Sequence, residues 1–202
     1  MTAVAGKKKG TSAATQAQIY KEARRLFNLK GYVGMTLREV ALGVGIEAQS
    51  LYNYTASKQD LIVSLMKEGT TAIQEDVDTA IAAADPTPTA RLWAAVSAHT
   101  HYYCASEKVI LVRDGLVHLD PEHRAELLKM LKHYEDTFKN ILLQGIKTGE
   151  FRKIDITPTC FAIMGMGESV VNWFKESRRL NAKDVARTYA DLAVRSVAQD
   201  KN

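Results

Sequence analysis

The sequence predicts an all-α protein of about nine helices, because its long segments space apolar residues at helical intervals and the breaks between them carry helix-cap chemistry. A chain of 202 residues with 46% hydrophobic content can bury a real core, as one large domain or as a small domain joined to a larger one. No apolar run approaches a membrane-spanning length, and the lysines near the start are not followed by an apolar stretch, so a cytoplasmic protein is expected. Cys104 and Cys160 lie far apart and belong to no C-x-x-C or Cys/His cluster. They are read as buried thiols, with no structural metal and no disulfide framework.

The first helix is expected from about Thr11 to Lys30, with Ile19, Ala23, Leu26 and Phe27 on one face and Gly31 in the left-handed capping position. Thr36-Leu37-Arg38-Glu39 has the form of a capping box and opens a short second helix that turns Leu37, Val40, Ala41 and Val44 inward. Gly43-Val44-Gly45 interrupts it after barely two turns, and Glu47 to Tyr54 forms a further short helical stretch. The outline is that of a helix-turn-helix. Ser57-Lys58-Gln59-Asp60 starts a long connecting helix marked by Leu61, Leu65, Ile73, Val77 and Ile81, which Asp85-Pro86-Thr87-Pro88 ends. Beyond it about five helices are expected, two opening at Asp120-Pro121 and Thr157-Pro158, where proline suits the first helical position. Gly149 closes the first of these, and a last helix capped by Asn181 carries Val185, Tyr189, Leu192 and Val197. The domains are therefore drawn as 1–56 and 57–202.

Charge is unevenly distributed along this plan. The first 60 residues hold nine basic and four acidic side chains, a formal +5, whereas the remainder is close to neutral. Positive charge concentrated around a helix-turn-helix is suited to neutralising phosphates. In such a motif the second helix enters the major groove while its partner braces it across the backbone. Ala48, Gln49, Ser50 and Asn53 fall on that second helix, and Gln and Asn can each bridge two groups on adenine. Thr36, Tyr52, Tyr54 and Lys58 are suited to phosphate oxygens, which fix position without conveying sequence.

The stretch Ile19 to Met66 resembles the DNA-binding region of TetR (tetracycline-repressor) proteins. The likeness rests on Ala23-x-x-Leu26-Phe27, Lys30-Gly31-Tyr32, Thr36-Leu37-Arg38-Glu39-Val40-Ala41, Gly45-Ile46, Leu51-Tyr52-Asn53-Tyr54 and Ser57-Lys58-Gln59-Asp60-Leu61. It implies phosphate contacts at Thr36, Tyr52, Tyr54 and Lys58, and base contacts at or near Ala48, Gln49, Ser50 and Asn53. Three positions depart from the family pattern: Thr55 stands for a usual phenylalanine, Gln49 for a frequent glycine and Glu47 for a small capping residue. Thr55 is expected to shrink a hydrophobic contact, and Glu47 to cap poorly. The family's N-terminal extensions can reach the minor groove, a role for which Lys7, Lys8 and Lys9 are candidates.

The resemblance also implies a two-fold homodimer formed by the last two long helices, expected at Pro158–Lys175 and Asn181–Ala198. Phe161, Val170, Trp173, Tyr189 and Leu192 are the candidate interface residues. Such a dimer places two reading helices roughly 34–36 Å apart, one DNA turn, and favours a palindromic operator. Candidate ligand-lining residues are Trp93, Tyr102, Tyr103, Ile110 and Val117, joined by Tyr134, Phe138, Phe161 and Met164, with His99 and Cys104 among their neighbours. Gly165-Met166-Gly167, Val171-Asn172-Trp173-Phe174 and Tyr189-Ala190-Asp191-Leu192-Ala193 resemble a TetR subgroup associated with fatty-acid, sterol or other acyl-CoA metabolism. A small apolar or acyl-CoA-type effector is implied, with Arg178 and Arg179 as candidates for the CoA phosphates.

Other classes fit less well. His99, His101, His118, His123 and His133 occur beside acids and cysteines, yet His99-x-His101 points two side chains in different directions. No H-E-x-x-H, nucleophile elbow or phosphate-binding glycine loop is present, so neither catalysis nor a cofactor is expected. A helical ligand-binding or adaptor protein without sequence-specific DNA binding is the alternative raised by Glu47 and Thr55; the basic N-terminal third opposes it.

Overall fold

The structure is a computed structural model that describes residues 12–106, 109, 115–177 and 179–199. Among these residues eight α-helices and one short 3-10 turn are present, consistent with the all-α chain of about nine helices expected. Lys7, Lys8, Lys9, Ile110 and Arg178 lie outside the described residues.

The helices belong to two compact units. One comprises the described residues within Met1–Met66 and Ile110–Arg124; the other comprises those within Lys67–Val109 and Ala125–Asn202. These units do not follow the boundary drawn at 56/57. The first turns of the connecting helix bury Leu61, Ile62, Leu65 and Met66, and Gly115 packs so closely that a Cβ there would overlap the end of Met66 and press on the Phe27 ring.

The first unit contains α1 (Ser12–Gly34), α2 (Leu37–Val44), α3 (Ala48–Leu51) and the start of α4 (Lys58–Ala83). Ile19, Ala23, Leu26 and Phe27 are all buried, as their spacing on one helical face predicts. Each large apolar side chain so removed from water contributes about 1.5–3 kcal/mol. Gly31 breaks α1 with φ 68° and ψ 179°, a conformation open to glycine, after which one more turn runs to Gly34. The Thr36 capping box is complete: Thr36 Oγ1 accepts from the Glu39 amide, and the Glu39 carboxylate accepts from the Thr36 amide. Gly45, at φ 75°, closes α2, and the Ile46 amide reaches back to the Ala41 carbonyl.

The second unit is built from the rest of α4, α5 (Pro88–Ala105), α6 (Pro121–Thr148) beyond Arg124, α7 (Ile156–Glu168) and α8 (Ala182–Val197). Its core contains Val77, Leu92, Val96, Phe138, Leu142, Phe151, Ile163 and Val197. α5 packs mainly against α8 and α7. Asn181 caps α8 through the Asp184 amide as expected, whereas α7 is capped by Asp155 and not by Thr157. A carboxylate is the better acceptor there, and the shift leaves Pro158 in the first turn, where a missing amide costs no intrahelical bond. α7 also stops at Glu168 and continues as a 3-10 turn, Ser169–Asn172, so Trp173 and Phe174 follow the helix instead of lying within it. Among the described residues no helix is long and apolar enough to cross a membrane.

Candidate DNA interface and candidate ligand site

The helix-turn-helix is α2, the turn at Gly45 and Ile46, and α3. Leu51 is fully buried and anchors α3, leaving Ala48, Gln49, Tyr52 and Asn53 exposed and Ser50 and Tyr54 half-buried. The helical turn runs on past α3, with the Tyr54 and Thr55 amides donating to the Leu51 carbonyl. Ala48, Gln49 and Ser50 thus lie on one short helix, whereas Asn53 lies on the turn that continues it, because the helix expected over Glu47 to Tyr54 ends at Leu51. Glu47 makes no side-chain capping bond, which leaves the first amides of α3 without a side-chain partner from that residue and its carboxylate at the exposed end.

Thr55 does more than shrink an apolar contact. It is buried, and its Oγ1 donates to the Ser57 carbonyl at 2.8 Å, so a side-chain-to-backbone bond shapes the α3–α4 turn. Ser57 then caps α4 by accepting from the Asp60 amide at 3.1 Å. Lys58, in the first turn of α4, lays its ammonium 4.6 Å from the centre of the Tyr32 ring. Burial pulls the Lys58 pKa down and the Glu39 carboxylate opposes this. The Thr36 hydroxyl, exposed, is shared with the cap of α2.

In the second unit the sequence candidates divide. Tyr103, Tyr134, Phe138 and Met164 come together around His99, which is fully buried, and the Tyr102 ring packs edge-on against Tyr103. The imidazole Nε2 lies 2.9 Å from the Met164 carbonyl, which can only accept, so Nε2 carries the proton. Nδ1 is then the acceptor, and the Tyr134 hydroxyl donates to it at 2.6 Å. Burial holds the His99 pKa down at about 4, keeping this tautomer neutral, and pushes the Tyr134 phenol well above its ordinary value. Tyr103 and Phe138 pack edge-on against the same imidazole, and Tyr102 donates to the Gly69 carbonyl at 3.1 Å. Gly167 is required here: a Cβ would overlap the His99 ring and press on Thr100 Oγ1.

Other candidates lie elsewhere. Trp93 is 37% exposed and donates from its indole to Asp191, joining α5 to α8 at the surface. Val117 is 69% exposed and belongs to the first unit. Phe161 is partly exposed with the Lys139 ammonium 5.3 Å from its ring, and Leu192 and Trp173 are each 46% exposed on the second unit. Tyr189 is half-buried, its ring 6.4 Å from that of Trp173. Val170 is fully buried in its own chain, because the 3-10 turn rotates it inward toward α5. Cys160 is buried and Cys104 half-buried, and burial raises both thiols to about 11, so each stays protonated near neutrality.

Sequence reading passed over Thr70, Gln74 and Thr100. Thr70 Oγ1, Gln74 Oε1 and Thr100 Oγ1 are buried without a hydrogen-bond partner, a condition that costs about 1–3 kcal/mol per group. Thr70 and Gln74 lie four residues apart beside the buried Ile73 and Val77, a polar pair on an apolar helix face that was visible in the sequence. Such groups are equipped to take a polar part of a bound molecule.

Comparison with known proteins agrees with both halves of this description. Residues 19–65 match the family described as bacterial regulatory proteins, tetR family, and residues 85–197 match the tetracyclin repressor-like C-terminal domain. The fatty acid metabolism regulator protein of Bacillus subtilis is 23% identical over 187 residues, covering 89% of this chain and 94% of the relative. The HTH-type transcriptional repressor KstR2 of Mycobacterium tuberculosis is 23% identical over 200 residues, covering 95% and 96%. Among solved structures, that of AibR in complex with isovaleryl coenzyme A and operator DNA aligns with a TM-score of 0.79 at 25% identity, covering 88% of this chain and 97% of AibR. An exposed reading helix on a buried anchor, an aromatic interior in the second unit and matches spanning both halves lead to one conclusion: this chain belongs to the TetR family of bacterial regulatory proteins.

Proposed function

We propose that this protein is a ligand-responsive transcriptional repressor that binds a palindromic operator as a homodimer and is released by a small apolar or acyl-CoA-type effector. The observation that carries this reading is α3 itself: Leu51 is buried beneath it while Ala48, Gln49 and Asn53 stand exposed. Gln49, Ser50 and Asn53 read base edges, and Thr36, Tyr52, Tyr54 and Lys58 take backbone phosphates. The effector is bound in the interior of the second unit, against Tyr102, Tyr103, Tyr134, Phe138 and Met164. The buried, unpartnered oxygens of Thr70, Gln74 and Thr100 support that assignment, and the isovaleryl coenzyme A bound by AibR supports an acyl-CoA class of effector.

The exposed apolar side chains Phe161, Trp173 and Leu192 support a dimer through α7, the turn after it and α8; Val170 is not part of that surface. α4 runs without interruption from Lys58 to Ala83 and supplies residues to both units, so it is the covalent route by which a bound effector alters the DNA-reading end. The thermodynamic requirement is that effector bind the DNA-bound and free forms with different affinity, and DNA must then weaken effector binding by the same factor. Regulation, not catalysis, in the cytoplasm follows from this reading.

The test is a mobility shift of the intergenic duplex beside the protein's own gene, across a salt series, with and without a long-chain acyl-CoA. A specific, salt-sensitive complex released by acyl-CoA is expected. A specific complex that acyl-CoA leaves intact removes the effector class alone, and a folded protein that binds no duplex specifically removes the repressor and favours the adaptor reading.

A further inference from the structure

The residues that face DNA in this reading are not held by the helix-turn-helix alone. Tyr32, just beyond the break in α1, is stacked on His118 with ring centroids 5.0 Å apart and planes within 10°. The Lys58 ammonium lies over the same Tyr32 ring. His118 belongs to the stretch that enters α6, and that stretch is pinned to the first turn of α4 by a two-way bond. Gln59 Nε2 donates to Asp120 Oδ2 at 2.6 Å while the Asp120 amide donates to Gln59 Oε1 at 2.9 Å.

His123 closes the arrangement. Its amide donates to Asp120 Oδ1 at 2.9 Å, its Nδ1 lies 2.8 Å from Asp120 Oδ2, and its Nε2 lies 3.7 Å from Asp60 Oδ1. With a carboxylate facing each ring nitrogen, the imidazolium is favoured, and the Asp120 hydrogen bond is the main cause of its raised pKa. Arg124 adds a backbone staple, donating to the Leu116, Val117 and Leu119 carbonyls. Gly115, against Phe27 and Met66, allows the stretch to lie this close.

Resting on the assignment of Lys58 to a phosphate, we propose that Tyr32 and His118 are positioning residues for DNA binding. The stack of His118 on Tyr32 fixes the Lys58 ammonium where it meets the backbone, and Gln59, Asp120 and His123 form the clasp that holds His118 in place. A lysine left to its own rotamers loses conformational freedom on meeting a phosphate; one already laid across a clamped ring has lost much of it beforehand. The effector side of the molecule is not needed for this role, which is local to the first unit.

The experiment is a double-mutant cycle on the full chain, with the specific duplex found in the mobility shift. Lys58→Ala is expected to lower the slope of log K against log salt by about 0.9 for each lysine engaged, so that a fourfold rise in salt costs about 3.5-fold less affinity per contact. His118→Ala is expected to lower affinity and slope in the same direction. His118→Phe, which keeps a flat ring on Tyr32, should retain both. The double variant should bind like Lys58→Ala alone, since His118 acts only through that lysine. Gln59→Leu, which removes both bonds to Asp120 and leaves the rings intact, should fall between wild type and His118→Ala, and stands in should His118→Ala fail to fold. The proposal is overturned if His118→Ala keeps the wild-type slope, or if its loss adds in full to that of Lys58→Ala. Those outcomes leave the repressor reading standing, whereas absence of specific binding by the wild type removes both.

Discussion

Replacing His99 by glutamine removes a buried imidazole whose protonation the fold opposes, and the size of the effect can be worked from its surroundings. The pKa is held down from 6.5 to about 4 by burial, with the Met164 carbonyl opposing the shift weakly. A base with a depressed folded pKa contributes stability above its unfolded value and loses it as pH falls toward the folded one. Between pH 6.5 and about 4 the unfolded chain takes up a proton at this site that the folded chain does not. The slope is about 1.4 kcal/mol per pH unit and the whole loss about 3 kcal/mol. The assay is urea unfolding at pH 7.5, 6, 5 and 4, at one fixed protein concentration because association shifts apparent stability. Both tryptophans, Trp93 and Trp173, lie in the second unit, so their fluorescence reports the unit that contains His99. Subtracting the His99→Gln series cancels carboxylate titrations common to both proteins. The wild type should lose about 3 kcal/mol more than the variant across that range. A gap that stays constant from pH 7.5 to 4 would refute the neutral, buried assignment and with it the Tyr134-to-His99 donor direction.

Three further outcomes follow from particular contacts. Gly167→Ala should destabilise the second unit by about 1–3 kcal/mol, because the added methyl meets the His99 ring and Thr100 Oγ1; the same fluorescence-detected unfolding reads it. Gln49→Ala should cost about 1–3 kcal/mol of discrimination between operator variants while leaving the salt slope unchanged, as measured by competition mobility shifts. Leu192→Lys should shift the protein to monomer in analytical ultracentrifugation without altering its helix content, since that side chain is exposed in the single chain; an unchanged dimer would place the interface elsewhere.

Local chemistry was legible in the sequence wherever a residue's role depends on near neighbours in the chain. The Thr36 capping box, the left-handed Gly31, the helix end at Gly149, the Asn181 cap and the buried faces of α1 and α4 all follow from spacings of a few residues. So does the helix-turn-helix, because a four-residue helix anchored by the buried Leu51 leaves Ala48 and Gln49 exposed. What sequence could not determine is which side chains from distant segments meet. The helical face of Trp93 is as apolar as that of Tyr102, yet one reaches Asp191 at the surface and the other bonds Gly69 in the interior. Thr55 reads as a lost aromatic contact until its hydroxyl is seen to bond the Ser57 carbonyl. Val117 and His118 read as parts of the sensing body, but packing of Gly115 on Phe27 and Met66 assigns their stretch to the first unit. Sequence by itself therefore determined the helices and the family, through propensity, capping and periodicity that act over a turn or two. Tertiary structure decided that His99 is a neutral donor and acceptor and that Val170 faces inward, because desolvation and close packing depend on residues tens of positions away.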